Sequence, residues 1–532
     1  MVNNLSQSIK ATRGNAKAYK APSNLNLLIA LMATLLAGLL ALSLALGIYI
    51  VAIFLLVMVA GLILVAYPKV GLWVTIVGAL AVSGLIDLYA PSLKPLTWGL
   101  VLLATGLACV VLMQSVFRSV SSPATVGTTL KFGEAKYLAF WLLIFFLIAI
   151  VSTMINWHGF KAALLGLKGY FQIWGLLIAI YFLIKTESQA SRLISFFLLL
   201  GFIQLPFLLH QFFVLVPQRT SELYAAHGIV AGDIVAGTFG GSMTGGGRSP
   251  TLALLCAFCI TLALAKWRSG YMSTRYLMVA LLLFVFPMFI SQVTLFLVFL
   301  PIAMLMLFKD NILVNPLKAI AGGLVMVLLI SAIFFGYSLL PSARSQKQQS
   351  LDKIISNSLE YNLGKKGYGN AKLNRTTVYP FWLEQHASIS KIVPMLIGNG
   401  PAATSGGAVI KDKQSLGSDR YKGFGIGLTG LSSLLWEVGL LGVFVTAGVF
   451  VSAYLLSRRL AQQWVGTKSW ASFKAIQIMT VLFGVSLLHI NYFVFDLSYQ
   501  TIFIMMLSYL LVMSRIKPIS KQHHQILQTN PS

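Results

Sequence analysis

The sequence contains few charged residues and few cysteines. Only 10% of its 532 residues are charged, whereas 58% are hydrophobic. Soluble domains carry roughly 25% charged residues, so this chain lacks the side chains for an ordinary water-facing surface. Its three cysteines (Cys109, Cys256 and Cys259) all lie within apolar runs. Packing is the more frequent role of cysteine in such runs, so a redox or metal-binding pair is disfavoured.

Motifs for nucleotide, metal and nucleic-acid binding are also missing. No P-loop or G-x-G-x-x-G segment opens a helix after a strand, which argues against ATP-driven transport by this chain alone. The histidines show no metal-ligand spacing such as H-x-x-x-H, and we expect neither a metal nor a cofactor. The net charge of +26 comes without a basic stripe interleaved with aromatic residues, so we expect no nucleic-acid partner.

The chain does contain a series of apolar runs of about 20 residues, the length of a membrane-spanning helix. Lipid-exposed backbone must satisfy its own hydrogen bonds, and these runs are too long for barrel strands. The sequence therefore predicts an all-α polytopic integral membrane protein with about 14 transmembrane helices (a range of about 12–14). The predicted spans lie near residues 26–46, 48–66, 71–90, 96–116, 137–155, 170–184, 192–216, 250–266, 276–290, 292–308, 318–340, 427–455, 472–492 and 497–514.

The basic residues between these runs predict which side each loop faces. Outside the longest loop, most Lys and Arg fall on the side that holds both tails. The positive-inside rule then places both tails in the cytoplasm, and we expect the protein to lie in a bacterial inner membrane. The predicted organisation is a cytoplasmic basic tail (1–25), an N-terminal transmembrane bundle (26–216), a Gly-rich periplasmic loop (217–249), central transmembrane helices (250–340), a large helical periplasmic loop (341–426), C-terminal transmembrane helices (427–514) and a cytoplasmic tail (515–532).

The first long outward loop is rich in glycine and ends on an arginine. It contains Gly237-Thr-Phe-Gly-Gly-Ser-Met-Thr-Gly-Gly-Gly-Arg248 and continues into a predicted helix with Ser249 as N-cap and Pro250 in the first turn. Glycine lets backbone amides approach a ligand, and amides near a helix start attract anions. Arg248 adds a planar guanidinium suited to phosphate. The alternative is a flexible connector whose arginine contacts lipid headgroups.

The second outward loop carries an excess of basic residues, including Arg375. It contains Tyr379-Pro-Phe-Trp-Leu-Glu-Gln-His386, which predicts a short helix, and the turn Leu396-Ile-Gly-Asn-Gly-Pro401. A cationic region above the membrane suits a lipid-linked phosphate or pyrophosphate. Electrostatic attachment to the bilayer is the alternative.

Acidic residues within the predicted spans are scarce. Glu437 falls in the predicted span 427–455, about two to three turns from its outer end. An unpaired carboxylate there is costly, so Glu437 either pairs with an outer-loop arginine or takes part in chemistry. Asp87 and Asp496 fall near the outer ends of spans and are interpreted as structural.

The order of these motifs resembles the O-antigen ligase and polymerase superfamily. The resemblance rests on Gly-Thr-Phe-Gly-Gly, a large loop with Arg375, the Ile-Gly-Asn-Gly-Pro turn, and a closing helix that reads Leu-Leu-Trp-Glu437-Val-Gly439-Leu-Leu-Gly442. It covers roughly residues 200–450. Ligases of this family carry a histidine nine residues before the glutamate, where this chain has Leu428. That departure favours a polymerase over a ligase.

The resemblance implies a metal-independent membrane glycosyltransferase, similar in fold to other integral-membrane glycosyltransferases that use lipid-linked donors. Its donor would be an undecaprenyl-pyrophosphate-linked glycan, and its product a surface polysaccharide (O-antigen, capsule or exopolysaccharide). A flippase and a chain-length regulator are the implied protein partners. The implied site residues are Glu437 or His386 as catalytic base, and Arg219, Arg248, Arg375, Arg420, Gly240 and Gly241 around the pyrophosphate and glycan. The alternatives are ligase-type transfer to another acceptor, a lipid-linked oligosaccharide flippase, another transporter or a non-catalytic scaffold.

Overall fold

The computed structural model describes residues 66–121, 133–157, 159–219, 234–243, 247–291, 293, 295–314, 371–405, 417 and 420–517, together with isolated positions elsewhere. The predicted spans 26–46, 48–66 and 318–340 lie almost entirely outside these residues. The chain divides into two compact units, Met1–Tyr67 and Pro68–Ser532. All elements described below belong to the second unit.

The described residues form helices and contain no β-strand. The first nine helices are α1 (Pro68–Tyr89), α2 (Thr97–Ser121), α3 (Lys136–Ile155), α4 (Phe160–Phe171), α5 (Gly175–Leu183), α6 (Glu187–Arg219), α7 (Ser249–Arg268), α8 (Thr274–Ser291) and α9 (Phe296–Val314). The remaining helices are α10 (Val378–His386), α11 (Ile392–Ile397), α12 (Gly430–Glu437), α13 (Gly439–Gln463), α14 (Lys468–Ser486), α15 (Tyr492–Phe495) and α16 (Leu497–Met513).

Within the described ranges, seven helices are long and apolar enough to cross a membrane, and the pair α4–α5, bent by 44°, forms an eighth candidate. The seven are α1, α2, α3, α6, α7, α8 and α13. This confirms the predicted all-α membrane protein. The total of about 14 spans stays a prediction.

Two helices form the centre of the bundle. Every residue of α16 is buried, as is nearly all of α7 between Ser249 and Ala265. A helix that is apolar on all sides has no face suited to water, so it packs inside a protein or faces lipid. α3 and α13 lie further out, since they expose Phe140, Leu143, Phe444 and Val451 to the surroundings. The exposed apolar side chains of these outer helices are suited to lipid.

The predicted span 427–455 is wrong at its start, because the chain forms two helices there. Thr429 caps α12 through a reciprocal capping box with Ser432, and α12 ends at Glu437. Gly439 has φ of 68°, which a right-handed helix does not adopt. A Cβ on Gly439 would lie 2.4 Å from the carbonyl oxygen of Leu396. Glu437 therefore lies at the end of a short helix that precedes the long helix α13.

Candidate functional site

The two long loops meet on the segment between α14 and the start of α16, residues 487–496, which we call the connecting segment. On the side of the long loop, Arg375 donates from Nε to the carbonyl oxygen of His489 at 2.9 Å. Asn491 donates from Nδ2 to the carbonyl oxygen of Gly427 at 2.9 Å. The N–H of Gly430 donates to the carbonyl oxygen of Ile490 at 2.8 Å. The long loop and the start of α12 are thus fixed to the connecting segment.

The glycine-rich loop joins the other end of the connecting segment. The hydroxyl of Tyr492 donates to the carbonyl oxygen of Gly247 at 2.7 Å. Nε of Arg248 lies 2.7 Å from Oδ2 of Asp496, which is also the N-cap of α16. One end of the bundle carries residues 234–243, 247–248, 371–405 and 420–429 together with the connecting segment, and we call this end the loop face. Apolar length predicts this segment as the end of one span followed by a short turn. The sequence pattern gives no sign that both loops contact it.

The glycine-rich loop inserts into the helical bundle. Residues 234–241 are all buried. Oε1 of Gln211 accepts the N–H groups of Ala236 and Gly237 at 3.0 and 2.7 Å, and its Nε2 donates to the carbonyl oxygen of Gly237 at 2.7 Å. Oε1 of Gln204 accepts the N–H of Thr238 at 2.7 Å. Buried amides need such partners, so these three amides support the loop and do not form a phosphate site.

Two π-helical turns flank the inserted loop, Gly78–Val82 in α1 and Gln211–Leu215 in α6. Thr238 donates from Oγ1 to the carbonyl oxygen of Leu80 at 2.9 Å. A π-turn leaves backbone groups of its helix without their usual partners. The carbonyl oxygen of Leu80 in the first π-turn accepts the hydroxyl of Thr238. The second π-turn begins at Gln211, whose side chain binds the loop amides.

Arg248 is held between two buried carboxylates. Its NH2 lies 2.6 Å from Oδ2 of Asp87, and its Nε pairs with Asp496. The Asp87 and Asp496 side chains are only 7% and 3% exposed. Lys94 adds a longer contact to Asp87 at 3.6 Å. The charge of Arg248 is balanced within the protein, so the geometry favours a structural role over phosphate binding. Arg248 also occupies the N-cap position of α7 predicted for Ser249.

Other residues expected at the pyrophosphate support the glycine-rich loop. Arg219 is 1% exposed, and its Nε donates to the carbonyl oxygen of Met243 at 3.0 Å. Gly240 accepts the N–H of Arg248 at 3.2 Å, and Gly241 is buried beside it. The structure therefore brings Arg219, Arg248, Gly240 and Gly241 together around one loop, as parts of its framework.

Arg375 lies beside a histidine that the sequence did not single out. Burial, and then the guanidinium of Arg375, lower the pKa of His489 to about 3. His489 is therefore neutral at physiological pH. Leu428, where the ligases carry a histidine, lies between two residues hydrogen-bonded to the connecting segment, Gly427 and Gly430. His489 thus belongs to the segment that packs against the Leu428 turn.

The predicted base His386 lies in an aromatic cluster. Its ring stacks on Trp382 and meets Trp436 edge-on, with centroid distances of 4.9 Å for both pairs. It is 3% exposed, and burial lowers its pKa. Nδ1 of His386 is hydrogen-bonded to the carbonyl oxygen of Trp382 at 2.8 Å. Arg420 is exposed and lies over the ring of Tyr421, at 5.3 Å, on the same cluster. These contacts stabilise the long loop.

Glu437, the other predicted base, is fully buried. Its Oε1 accepts the N–H and the hydroxyl of Thr404 at 3.1 and 2.5 Å. No arginine pairs with it among the described residues, and Thr404 is the residue that binds Oε1 there. The two candidate bases have different direct contacts: Thr404 hydrogen-bonds the carboxyl group of Glu437, and Trp382 stacks on the ring of His386.

The described part of the chain contains no group of three or more His, Cys, Asp or Glu side chains that could hold a metal ion. The long loop brings one functional candidate, Arg375, against two others that lie on the connecting segment, His489 and Asn491. No protein-family model matches the sequence, and no curated protein matches it significantly.

Proposed function

We propose that the protein is a membrane glycosyltransferase that polymerises undecaprenyl-pyrophosphate-linked oligosaccharide repeat units into a surface polysaccharide. In this proposal the chain crosses the bacterial inner membrane about 14 times, keeps both termini in the cytoplasm and presents the loop face to the periplasm. A flippase would supply the lipid-linked units, and a chain-length regulator would act on the product.

The observation that best supports this proposal is the meeting of both loops at the connecting segment, with Arg375 next to neutral His489. A polytopic protein with a basic, folded surface at one end of its bundle suits a substrate that is half lipid and half anionic glycan. Two of the features that resemble the polymerases and ligases, Arg375 and the Ile-Gly-Asn-Gly-Pro turn, lie at this same end of the bundle.

In the proposed reaction, the acceptor hydroxyl oxygen forms a bond to the anomeric carbon of the donor. The bond from that carbon to the lipid pyrophosphate breaks, and the pyrophosphate leaves with the electron pair. Arg375 stabilises the charge on the leaving pyrophosphate. Arg248 and Arg219 contribute by holding the glycine-rich loop in place.

His489 is the base that this geometry favours for the acceptor proton. Burial first, and then the charge of the Arg375 guanidinium, disfavour the charged imidazolium of His489. A pyrophosphate bound at Arg375 would offset that charge and raise the pKa of His489 toward its ordinary value. His489 would then accept the proton when the donor is in place.

The test is deletion of the gene in its host, with the surface glycan resolved by size. Complementation would compare the wild type with Arg375→Ala, Arg375→Lys and His489→Gln, and Arg420→Ala would serve as an exposed-arginine control. We expect single capped repeats in the deletion strain and with Arg375→Ala and His489→Gln, and long glycan with wild type and Arg420→Ala.

Three other results would replace the proposal. Long glycan that stays on its lipid carrier in the deletion strain would indicate a ligase. Lipid-linked repeats confined to the cytoplasmic face would indicate a flippase. Glycan of normal length from Arg375→Ala and His489→Gln, at wild-type protein levels, would show that these two residues of the site take no part in the reaction.

A further inference from the structure

The carboxyl group of Glu437 is enclosed, and no cation of the described residues balances its charge. The residue is 0% exposed, and Thr404 provides both hydrogen bonds to Oε1. Oε2 is buried and faces the hydroxyl of Tyr170, which is buried as well. The backbone N–H of Ala402 is the remaining hydrogen-bond donor toward this carboxyl group in the described ranges. Tyr170 is thus the titratable group that faces Glu437.

The residues around Glu437 hold the Asn-Gly-Pro turn, residues 396–405, against the start of α13. The N–H of Asn399 donates to the carbonyl oxygen of Trp436 at 2.8 Å, and the N–H of Gly400 donates to that of Glu437 at 3.0 Å. Ser152, near the end of α3, donates to the same Glu437 carbonyl at 2.8 Å. Thr404, near the end of the turn, adds the two hydrogen bonds to the carboxyl group of Glu437.

The Asn-Gly-Pro turn packs so closely against the neighbouring helices that neither can move toward the other. A Cβ on Gly398 would lie 2.3 Å from the carbonyl carbon of Glu437. A Cβ on Gly166, in α4, would lie 2.5 Å from the carbonyl oxygen of Pro401. The Glu437 side chain therefore cannot reach solvent without opening the turn.

An ionised carboxylate that is fully buried costs several kcal/mol unless a cation offsets its charge, and the described residues place no cation beside Glu437. A protonated carboxyl avoids this cost, and its own hydroxyl can donate to the oxygen of the Tyr170 hydroxyl, which accepts as well as donates. The two bonds from Thr404 to Oε1 leave Oε2 as the oxygen that carries the proton.

We propose that Glu437 is protonated in the folded protein and donates from Oε2 to the Tyr170 hydroxyl, so that it acts as a neutral latch for the Asn-Gly-Pro turn. Glu437 is then a positioning residue and not the base of the reaction. The inference stands on the packing alone and does not depend on the proposed function.

The test uses the purified full-length protein in detergent and needs no activity. Infrared difference spectra between wild type and Glu437→Gln should show the loss of a carbonyl stretch from a protonated carboxylic acid. Tyr170→Phe should shift that band to higher frequency, since it removes the hydrogen-bond acceptor. Loss of a carboxylate band pair from wild type would overturn the proposal.

Thermal unfolding of the same variants provides a second measurement. Glu437→Gln keeps the size and the donor of the neutral form, so its unfolding temperature should stay close to that of wild type. Glu437→Ala should lower it, because Thr404 and Tyr170 lose their partner. Asp496→Asn is the matched control, since this buried carboxylate pairs with Arg248 and its neutral analogue should destabilise the protein. Equal destabilisation by Glu437→Gln and Glu437→Ala would also refute the latch.

Discussion

Arg248 joins three parts of the chain, because its two carboxylate partners lie near the end of α1 and at the start of α16. Arg248→Ala should destabilise the protein by about 3–5 kcal/mol, since both carboxylates stay buried without their cation. Thermal unfolding in detergent measures the effect, with exposed Arg420→Ala as the control. Adding Asp496→Asn to Arg248→Ala should recover part of the loss, and no recovery would contradict the ion-pair explanation.

Glu437 predicts a specific dependence of stability on pH. Burial raises its pKa above the ordinary glutamate value. The folded protein then keeps a proton that the unfolded chain has released, so stability falls as pH rises from about 4 through the folded-state pKa. Glu437→Gln lacks this loss. The difference in unfolding temperature between Glu437→Gln and wild type should therefore increase in favour of the variant as pH rises. Parallel plots of unfolding temperature against pH would show that Glu437 is ionised in the folded protein.

Residue type alone predicted which positions are unusual but not what they contact. Arg248 and Glu437 stand out in the sequence because charged residues are scarce in this chain. The partners of Arg248 are 161 and 248 positions away along the chain, and such distant contacts leave no trace in a local pattern. His489 was missed because it lacks a motif, and only the fold places Arg375 against it.

The glycine-rich loop depends on close packing against α1. A Cβ on Gly84 would lie 2.2 Å from the carbonyl carbon of Phe239, whereas a Cβ on Gly106, in α2, meets nothing within 4 Å. Gly84→Ala should destabilise the protein by roughly 1–3 kcal/mol through overpacking. Gly106→Ala should be neutral or stabilising, because alanine favours helix. Thermal unfolding tests both, and equal effects would contradict the close approach.

At the level of elements, apolar length predicted the membrane helices well and their breaks poorly. The predicted spans 96–116 and 137–155 correspond to α2 and α3. The break at Gly439 was missed because hydropathy continues through α12 into α13 and only the positive φ separates them. The inserted glycine-rich loop was read as solvent-exposed, since the glutamines that satisfy its amides lie in a different apolar run.

The two ends of the bundle differ in character. The end opposite the loop face is closed by short polar contacts, from Gln463 to Glu134 at 2.6 Å and from Ser469 to Glu187 at 2.6 Å. Tyr271 donates to the carbonyl oxygen of Gly466 at 2.7 Å on the same end. The folded loops with Arg375 and His489 are all at the other end. The proposed polymerisation of flipped repeat units therefore requires the loop face to be periplasmic.

Cysteine labelling tests this orientation. Ser388 is exposed on the loop face, and Gln462 is exposed near the end of α13, at the opposite end of the bundle. In a background with Cys109→Ser, a membrane-impermeant maleimide should label Ser388→Cys in cells whose outer membrane is permeable. Gln462→Cys should react only after the inner membrane is opened. The reverse pattern would place Arg375 and His489 in the cytoplasm, where a polymerase acting on flipped repeat units has no substrate.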